Sequence, residues 1–435
     1  MKLSKHIIFS KIKHSENYFI LNPLSGQADI LTKEYARDIE SGEFRCKDQY
    51  VKKGYLVDHT EEEKQYRAAY LDFIDKQEQS EIQIFFVPWY SCNFSCSYCY
   101  QDGYTPFNIQ LTDQIITAFF SYIDMSFSNR KKYITIFGGE PLLPGNQHKK
   151  HIVKILDLAT SRELDVAIVT NGYYLREYIP ILQKHKIREI QVTLDGLADI
   201  HNKRRYLSGG GDTFNQIIRG IDSALELEIP VNLRMVIDRE NINDLPGLAR
   251  FAIEKGWTNN QYFKTQLGRN YELYYCQRDS SVLFSRIELY EKIYVMLQEY
   301  PEILDFHRPA FSISRFLKDN GEMPAPLFDS CPGTKTEWAF DYTGSIYACT
   351  ATVGKSGEEL GTFYPEVKLY EDRVEQWEDR NVVTIPECKK CNLQLACGGG
   401  CAAVAKNKYG SIKEPDCRPV LKLLEMGISQ YMEME

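Results

Sequence analysis

The sequence predicts an α/β protein whose centre is a partial barrel of six β/α units. Three observations predict it. Between residues 81 and 268, short apolar runs alternate with amphipathic helical stretches, the pattern of parallel strands joined by crossover helices. Turns rich in Gly, Asn, Asp and Cys fall at or just after the ends of those runs, the edge where parallel sheets gather functional groups. Ten of the twelve cysteines lie in clusters, three after the first barrel strand and seven beyond residue 330. The expected division is an N-terminal module over 1–80, the barrel over 81–268, a helical bridge over 269–330 and a cysteine-rich domain over 331–435.

Composition limits the function classes. With 43% apolar and 26% charged residues among 435, the chain is globular and long enough for two or three domains. No apolar run approaches the roughly 20 residues that span a bilayer, and Met1–Phe9 lacks the features of a secretion signal. A cytoplasmic protein with no membrane partner is expected, and in that compartment clustered cysteines stay reduced. A net charge of −8 argues against a nucleic-acid partner.

The N-terminal module reads β-β-α-α-β. Residues 7–12 and 18–21 form a hairpin, Thr32–Ser41 a helix closed by Gly42, and a short helix leads to a strand over 54–58. Glu61-Glu62-Glu63 opens a further helix to about Asp75, its acidic first turn complementing the helix dipole. This order is winged-helix-like. Cys46 stands apart and reads as a small apolar residue.

Barrel strands are expected at 82–87, 133–137, 165–169, 189–194, 231–237 and 261–265, with helices near 112–126, 147–160, 175–185, 214–227 and 244–255. After the first strand come Cys92, Cys96 and Cys99 in a C-x3-C-x2-C loop. Such a loop wraps three thiolates around one corner of an iron–sulfur cube and leaves the fourth iron without a protein ligand. Electron-carrier clusters use four cysteines, and zinc knuckles are spaced C-x2-C or C-x4-C. The second strand ends in Gly138-Gly139-Glu140, two glycines permitting close backbone approach and a carboxylate able to accept from an ammonium group. The third ends Thr170-Asn171-Gly172, by itself an ordinary Asn-Gly turn. The fourth ends Thr193-Leu194-Asp195-Gly196, followed by His201 and Arg205. Gly209-Gly210-Gly211 follows no strand and belongs to no phosphate loop.

The cysteine array resembles the signature of the radical S-adenosylmethionine (SAM) enzymes. The resemblance implies that SAM chelates the open iron, that the reduced cluster cleaves it, and that a 5′-deoxyadenosyl radical then abstracts hydrogen from an unactivated C–H bond. It places Tyr98 beside the adenine, Gly138, Gly139 and Glu140 at the SAM amino group, and Thr170 and Asn171 at the ribose. Thr193 and Asp195 fall near the ribose and carboxylate, Arg205 near the carboxylate. His201 braces the loop. Val236 touches adenine or belongs to the core.

Beyond the bridge, whose clearest helix spans 281–298, stand Cys331, Cys349, Cys388, Cys391, Cys397, Cys401 and Cys417. One C-x2-C followed by C-x3-C could be a zinc ribbon. All seven spacings, including G-x4-C before Cys349, resemble the SPASM pattern of radical SAM enzymes with auxiliary clusters. That resemblance assigns Cys388, Cys391, Cys397 and Cys417 to one [4Fe–4S] cluster and Cys331, Cys349 and Cys401 to another, three clusters in all. Gly398-Gly399-Gly400 is expected to bring backbone N–H groups to cluster sulfurs. Two cubanes need eight ligands and the motif offers seven, so one iron is open or is filled by Cys276 or Asp329.

The resulting expectation is a radical SAM/SPASM enzyme that oxidatively modifies a ribosomally made precursor peptide through a thioether or other crosslink. The N-terminal module would capture the peptide's leader as an added strand, and a donor such as flavodoxin or ferredoxin would supply electrons. The alternatives are a formylglycine-forming sulfatase maturase and a non-catalytic electron carrier. Sulfatase maturases carry a cysteine and an aspartate where this chain has Ala325 and Thr350. An open iron and three SAM-like turns argue against the carrier.

Overall fold

The computed structural model describes residues 1–99, 101, 110–270 and 280–432. Strands β1 (Lys2–Leu3), β2 (Ile8–Lys11), β3 (Tyr18–Asn22) and β4 (Gln27–Leu31) open the chain. Helices Lys33–Ser41 and Lys47–Lys52, strand β5 (Leu56–Val57) and helix His59–Gln79 follow. β2, β3 and β4 form an antiparallel sheet with β4 at its edge, while β1 pairs with β5. The two expected strands are β2 and β3. β4 was not expected: Gln27-Ala28-Asp29-Ile30-Leu31 is half polar and largely exposed, so it carries no buried-strand signal. The first helix ends at Gly42 in the left-handed conformation, φ 74°, as a helix C-terminus favours. The last is capped by Asp58, whose carboxylate accepts from the N–H groups of Thr60 and Glu61.

The barrel strands are β6 (Ile82–Val87), β7 (Lys132–Ile136), β8 (Val166–Thr170), β9 (Ile187–Thr193), β10 (Val231–Ile237) and β11 (Phe263–Arg269). They are parallel and lie side by side in chain order. This is the α/β partial barrel that the alternating pattern predicts. The sheet does not stop at β6. β12 (Glu337–Asp341), from the cysteine-rich segment, adds to it in parallel, with Glu337 opposite Gln83 and Asp341 opposite Val87. β13 (Ser345–Tyr347), β14 (Gly361–Thr362) and β15 (Lys368–Leu369) continue antiparallel and complete ten strands. A pairing between residues some 250 positions apart has no local sequence signature.

Alternation along each strand separates two apolar faces. Ile84, Phe86, Ile134, Ile136, Ile168, Ile190, Val192, Leu233 and Met235 pack outward against the helices. Phe85, Val87 and Phe137 turn to the barrel interior, where Ala339, Tyr347 and Val353 close over them. The β10 residues Asn232, Arg234 and Val236 share this inner parity.

The N-terminal module rests on the cysteine-rich end. Tyr66, Tyr70 and Phe73 of the long helix surround the fully buried Phe328 ring at centroid distances of 5.1, 5.3 and 5.6 Å. Ile8, Ile12, Phe19 and Leu21 pack with Val420, Leu424 and Ile428 of helix Val420–Met432. Burying each such side chain is worth about 1.5–3 kcal/mol. The bridge helix Arg286–Glu299 starts at a capping box of Ser285 and Glu288.

Candidate functional site

The cysteine loop lies directly on the turn that follows β7. The N–H groups of Gly139 and Glu140 donate to the carbonyls of Trp89 (3.2 Å) and Ser91 (2.9 Å). A Cβ on Gly139 would stand 2.1 Å from Ser91 O, and one on Gly138 would stand 2.7 Å from Trp89 O. These glycines therefore permit close approach of the turn to the cysteine loop itself. Trp89 Nε1 closes the contact by donating to Glu140 O at 2.6 Å.

Glu140 is buried and its carboxylate joins two strand ends. It accepts from Leu142 N (2.8 Å), Thr170 Oγ1 (2.6 Å) and Asn171 N (2.6 Å). Burial pushes its pKa up to about 7, against those three donors. A carboxylate has about four acceptor positions, so one more donor can be received. Asn171 donates through Nδ2 to Asn93 Oδ1 at 2.8 Å and approaches Cys92 Sγ at 3.8 Å. The first three polar turns thus form one connected network around the cysteine loop.

A second network ties the ends of β9 and β10. Asp195, wholly buried, accepts from Val236 N (3.1 Å) and Arg204 Nε (3.3 Å). His201 braces this turn as expected: Asp195 N donates to His201 Nδ1 at 3.2 Å. Burial and the nearby Arg205 and Arg204 charges hold that imidazole neutral, its pKa well below the usual value. Arg204 makes a bidentate pair with Asp238 (2.9 and 2.8 Å), reaches Glu240 (2.8 Å), and lies over the Tyr98 ring at 4.8 Å. Arg205 donates to Tyr98 Oη at 2.8 Å. Arg204, Asp238, Glu240 and Asn241 were missed in sequence, because their pairing crosses from one β/α unit to the next. Thr193 is buried at the end of β9, opposite Arg234 in register.

All eleven described cysteines are free thiols; Cys276 lies outside the described residues. Ten of them fall into three electrostatic groups, Cys46 standing apart. Burial raises the Cys96 thiol to about 11, with Arg205 opposing and Cys99 adding. Burial lifts Cys349 well above its ordinary value, with Glu337, Cys331 and Cys401 adding. Burial brings Cys388 to about 12, with Cys397, Cys417 and Cys391 adding. Among the described residues no three His, Cys, Asp or Glu side chains converge as a single metal ion requires.

Two buried carboxylates organise the cysteine-rich end. Asp329 accepts from Cys331 N at 2.9 Å and pairs with Lys335. Its oxygens are already engaged, which argues against the ligand role considered for it. Asp416 accepts from Cys401 N (3.2 Å) and Arg286 (2.7 Å). Arg380, fully buried, donates to the carbonyls of Gly399 (2.9 Å), Gly400 (3.0 Å), Ile412 and Glu414 (3.1 Å). Gly398 and Gly400 direct their N–H groups to Gln394 O and Ser330 Oγ. A Cβ on Gly400 would stand 2.0 Å from Asp416 O. These two glycines serve close backbone packing rather than the expected donation to sulfur.

The residues at the barrel mouth fit a cluster with SAM beside it. Arg205 Nε and Asn93 Nδ2 are buried donors with no partner, and a carboxylate and cluster sulfides are acceptors. Residues 86–252 match the radical SAM superfamily model.

The chain carries a radical SAM domain.

Members of that superfamily are enzymes, and the domain implies a SAM-binding [4Fe–4S] cluster and SAM. The chain is 33% identical over 176 residues to a GTP 3′,8-cyclase of Nautilia profundicola, covering 38% of this chain and 51% of that protein. It is 31% identical over 168 residues to one of Campylobacter jejuni subsp. doylei, covering 38% and 50%. The chain spans about half the length of these curated relatives. Among solved structures, anSMEcpe with bound AdoMet aligns at a TM-score of 0.63 and 18% identity, over 82% of this chain and 95% of that one. SuiB of Streptococcus suis bound to precursor peptide SuiA aligns at 0.54 and 16%, over 97% and 99%. At such identities the likeness concerns the fold. No described helix is long and apolar enough to cross a membrane.

Proposed function

We propose that this chain is a radical SAM peptide maturase holding three [4Fe–4S] clusters, one with SAM and two auxiliary. The observation that carries it is the separation of ten reduced thiols into three groups, one of them at the mouth of the radical SAM barrel. Cys92, Cys96 and Cys99 hold the SAM cluster. Cys331, Cys349 and Cys401 hold one auxiliary cluster, and Cys388, Cys391, Cys397 and Cys417 the other. When bound, SAM on its cluster supplies the hydrogen-abstracting radical chemistry.

The remaining work belongs to the chain. Tyr98, held between Arg204 and Arg205, offers a ring for the adenine. Glu140 has an acceptor position for an ammonium group, and Arg205 Nε an unpartnered donor for a carboxylate. Thr193 and Asn171 line the strand ends around the ribose, and Val236 lies on the adenine side. The apolar inner wall of Phe85, Val87 and Phe137 excludes water from the reacting atoms.

A peptide substrate is supported by the open edge of the N-terminal sheet. Among the described residues β4 has no strand on its outer side, and an extended leader segment can add there through backbone hydrogen bonds. SuiB, described with its precursor peptide, shares the fold over nearly the whole chain. The reduced thiols suit the cytoplasm, with flavodoxin or ferredoxin as electron donor. Ala325 and Thr350 stand against the formylglycine reaction. The test is incubation of reduced, SAM-loaded protein with candidate precursor peptides from its own genome, followed by mass spectrometry. A loss of two hydrogens per crosslink is expected; an unmodified peptide alongside active SAM cleavage would reject the assignment.

A further inference from the structure

We propose that Arg234, inside the barrel, binds a carboxylate of the substrate, namely an acidic side chain of the peptide; this rests on the peptide-modifying reading above. Arg234 lies on β10, in register with Thr193 of β9 and Gln266 of β11, and its side chain takes the inner face of the sheet. It stands two residues before Val236, hence deeper in the barrel than the strand ends where SAM is expected. Gly268 of β11 makes room for it: a Cβ there would meet Arg234 Nε at 3.0 Å and Nη2 at 3.1 Å. The guanidinium therefore lies against β11 where a side chain at Gly268 would crowd it.

Its Nε is buried and unpartnered, and among the described residues the group has no hydrogen bond or ion pair. The nearby acids are engaged elsewhere. Glu189 pairs with Lys264, and Asp195 and Asp238 both pair with Arg204. The residue as a whole is half-buried, so the rest of the fork remains open to a ligand. A planar fork of this kind matches a carboxylate through two parallel hydrogen bonds. The in-register neighbours Thr193 and Gln266 are neutral hydrogen-bonding residues, which suits a single negative charge. A nucleoside triphosphate would require several more cations than this wall offers.

The test uses SAM-loaded, cluster-reconstituted protein and capped pentapeptides, Ala-Ala-X-Ala-Ala, with X being Asp, Glu, Asn or Gln, and GTP as a separate probe. Equilibrium dialysis is expected to show at least tenfold tighter binding of the Asp or Glu peptide than of its amide counterpart. R234Q should abolish that preference, and R234K, which keeps the charge but not the fork, should retain part of it. Equal binding of acid and amide peptides by the wild type, or a preference that persists in R234Q, would overturn the proposal. So would a tenfold loss of SAM affinity in R234Q without a change in peptide preference, which would give the guanidinium to the cofactor. Binding of GTP that depends on Arg234 would also overturn it. Failure of the underlying reading shows separately, as wild-type protein that forms no 5′-deoxyadenosine.

Discussion

Arg204 and Arg205 are adjacent in sequence and should fail in opposite ways when replaced. Arg204 is 4% exposed and holds Asp195, Asp238 and Glu240. Arg204→Met leaves Asp195 and Asp238 buried without their cation. Breaking one partner of such a buried network costs about 3–5 kcal/mol, so the variant should unfold at much lower denaturant. The Arg205 side chain makes one described hydrogen bond, to Tyr98, and keeps an unpartnered Nε. Arg205→Met should cost about 1–2 kcal/mol, yet lower SAM affinity at least tenfold. Anaerobic urea unfolding followed by circular dichroism gives the first quantity, and dialysis against labelled SAM the second. Equal stability losses in the two variants, or a larger loss for Arg205→Met, would refute the assignment of a structural and a ligand-facing arginine.

Three further outcomes follow from the packing. Phe328→Ala should cost about 3–5 kcal/mol and increase proteolysis between the N-terminal module and the rest, because three aromatic rings lose their common partner. Arg380→Leu should lower auxiliary iron while the cluster at the barrel mouth still responds to SAM, since it removes the described donor of the Gly400, Ile412 and Glu414 carbonyls and one of two from Gly399 O; Arg380→Lys should recover part of the iron. His6 is fully buried with neither ring nitrogen bonded, and burial, with Lys5 adding, pushes its pKa down to about 4. The unfolded chain binds that proton at about 6.5, so stability is complete above that pH and is lost as pH falls from 6.5 toward 4. The loss is about 2 kcal/mol at pH 5, and it should vanish in His6→Leu when apo-protein unfolding is compared at pH 7 and pH 5.

What could be read from sequence was local and periodic. The six barrel strands are apolar runs bounded by turn residues, and their order follows from short crossovers. The cysteine grouping was legible because ligand spacing is itself a sequence property. What escaped depends on contacts between distant segments. β4 is a solvated edge whose stability comes from pairing with β3, and β12 joins β6 across most of the chain. Arg204 carried no signal beside Arg205, because only the fold brings Asp238 and Glu240 to it. Gly138, Gly139 and Gly400 pack their Cα positions against neighbouring backbone. A sequence marks that a glycine allows close approach but does not say what approaches it.

The central claim is that three separate sets of thiols hold three clusters, and that only the one at the barrel mouth binds SAM. The direct measurement is iron content with a SAM titration followed by electron paramagnetic resonance, on wild-type protein and on Cys92→Ala/Cys96→Ala/Cys99→Ala. The wild type should carry about twelve irons with a signal that SAM perturbs, and the variant about eight with no response. Loss of all iron in the variant, zinc at the barrel mouth, or a wild-type signal indifferent to SAM would contradict the account.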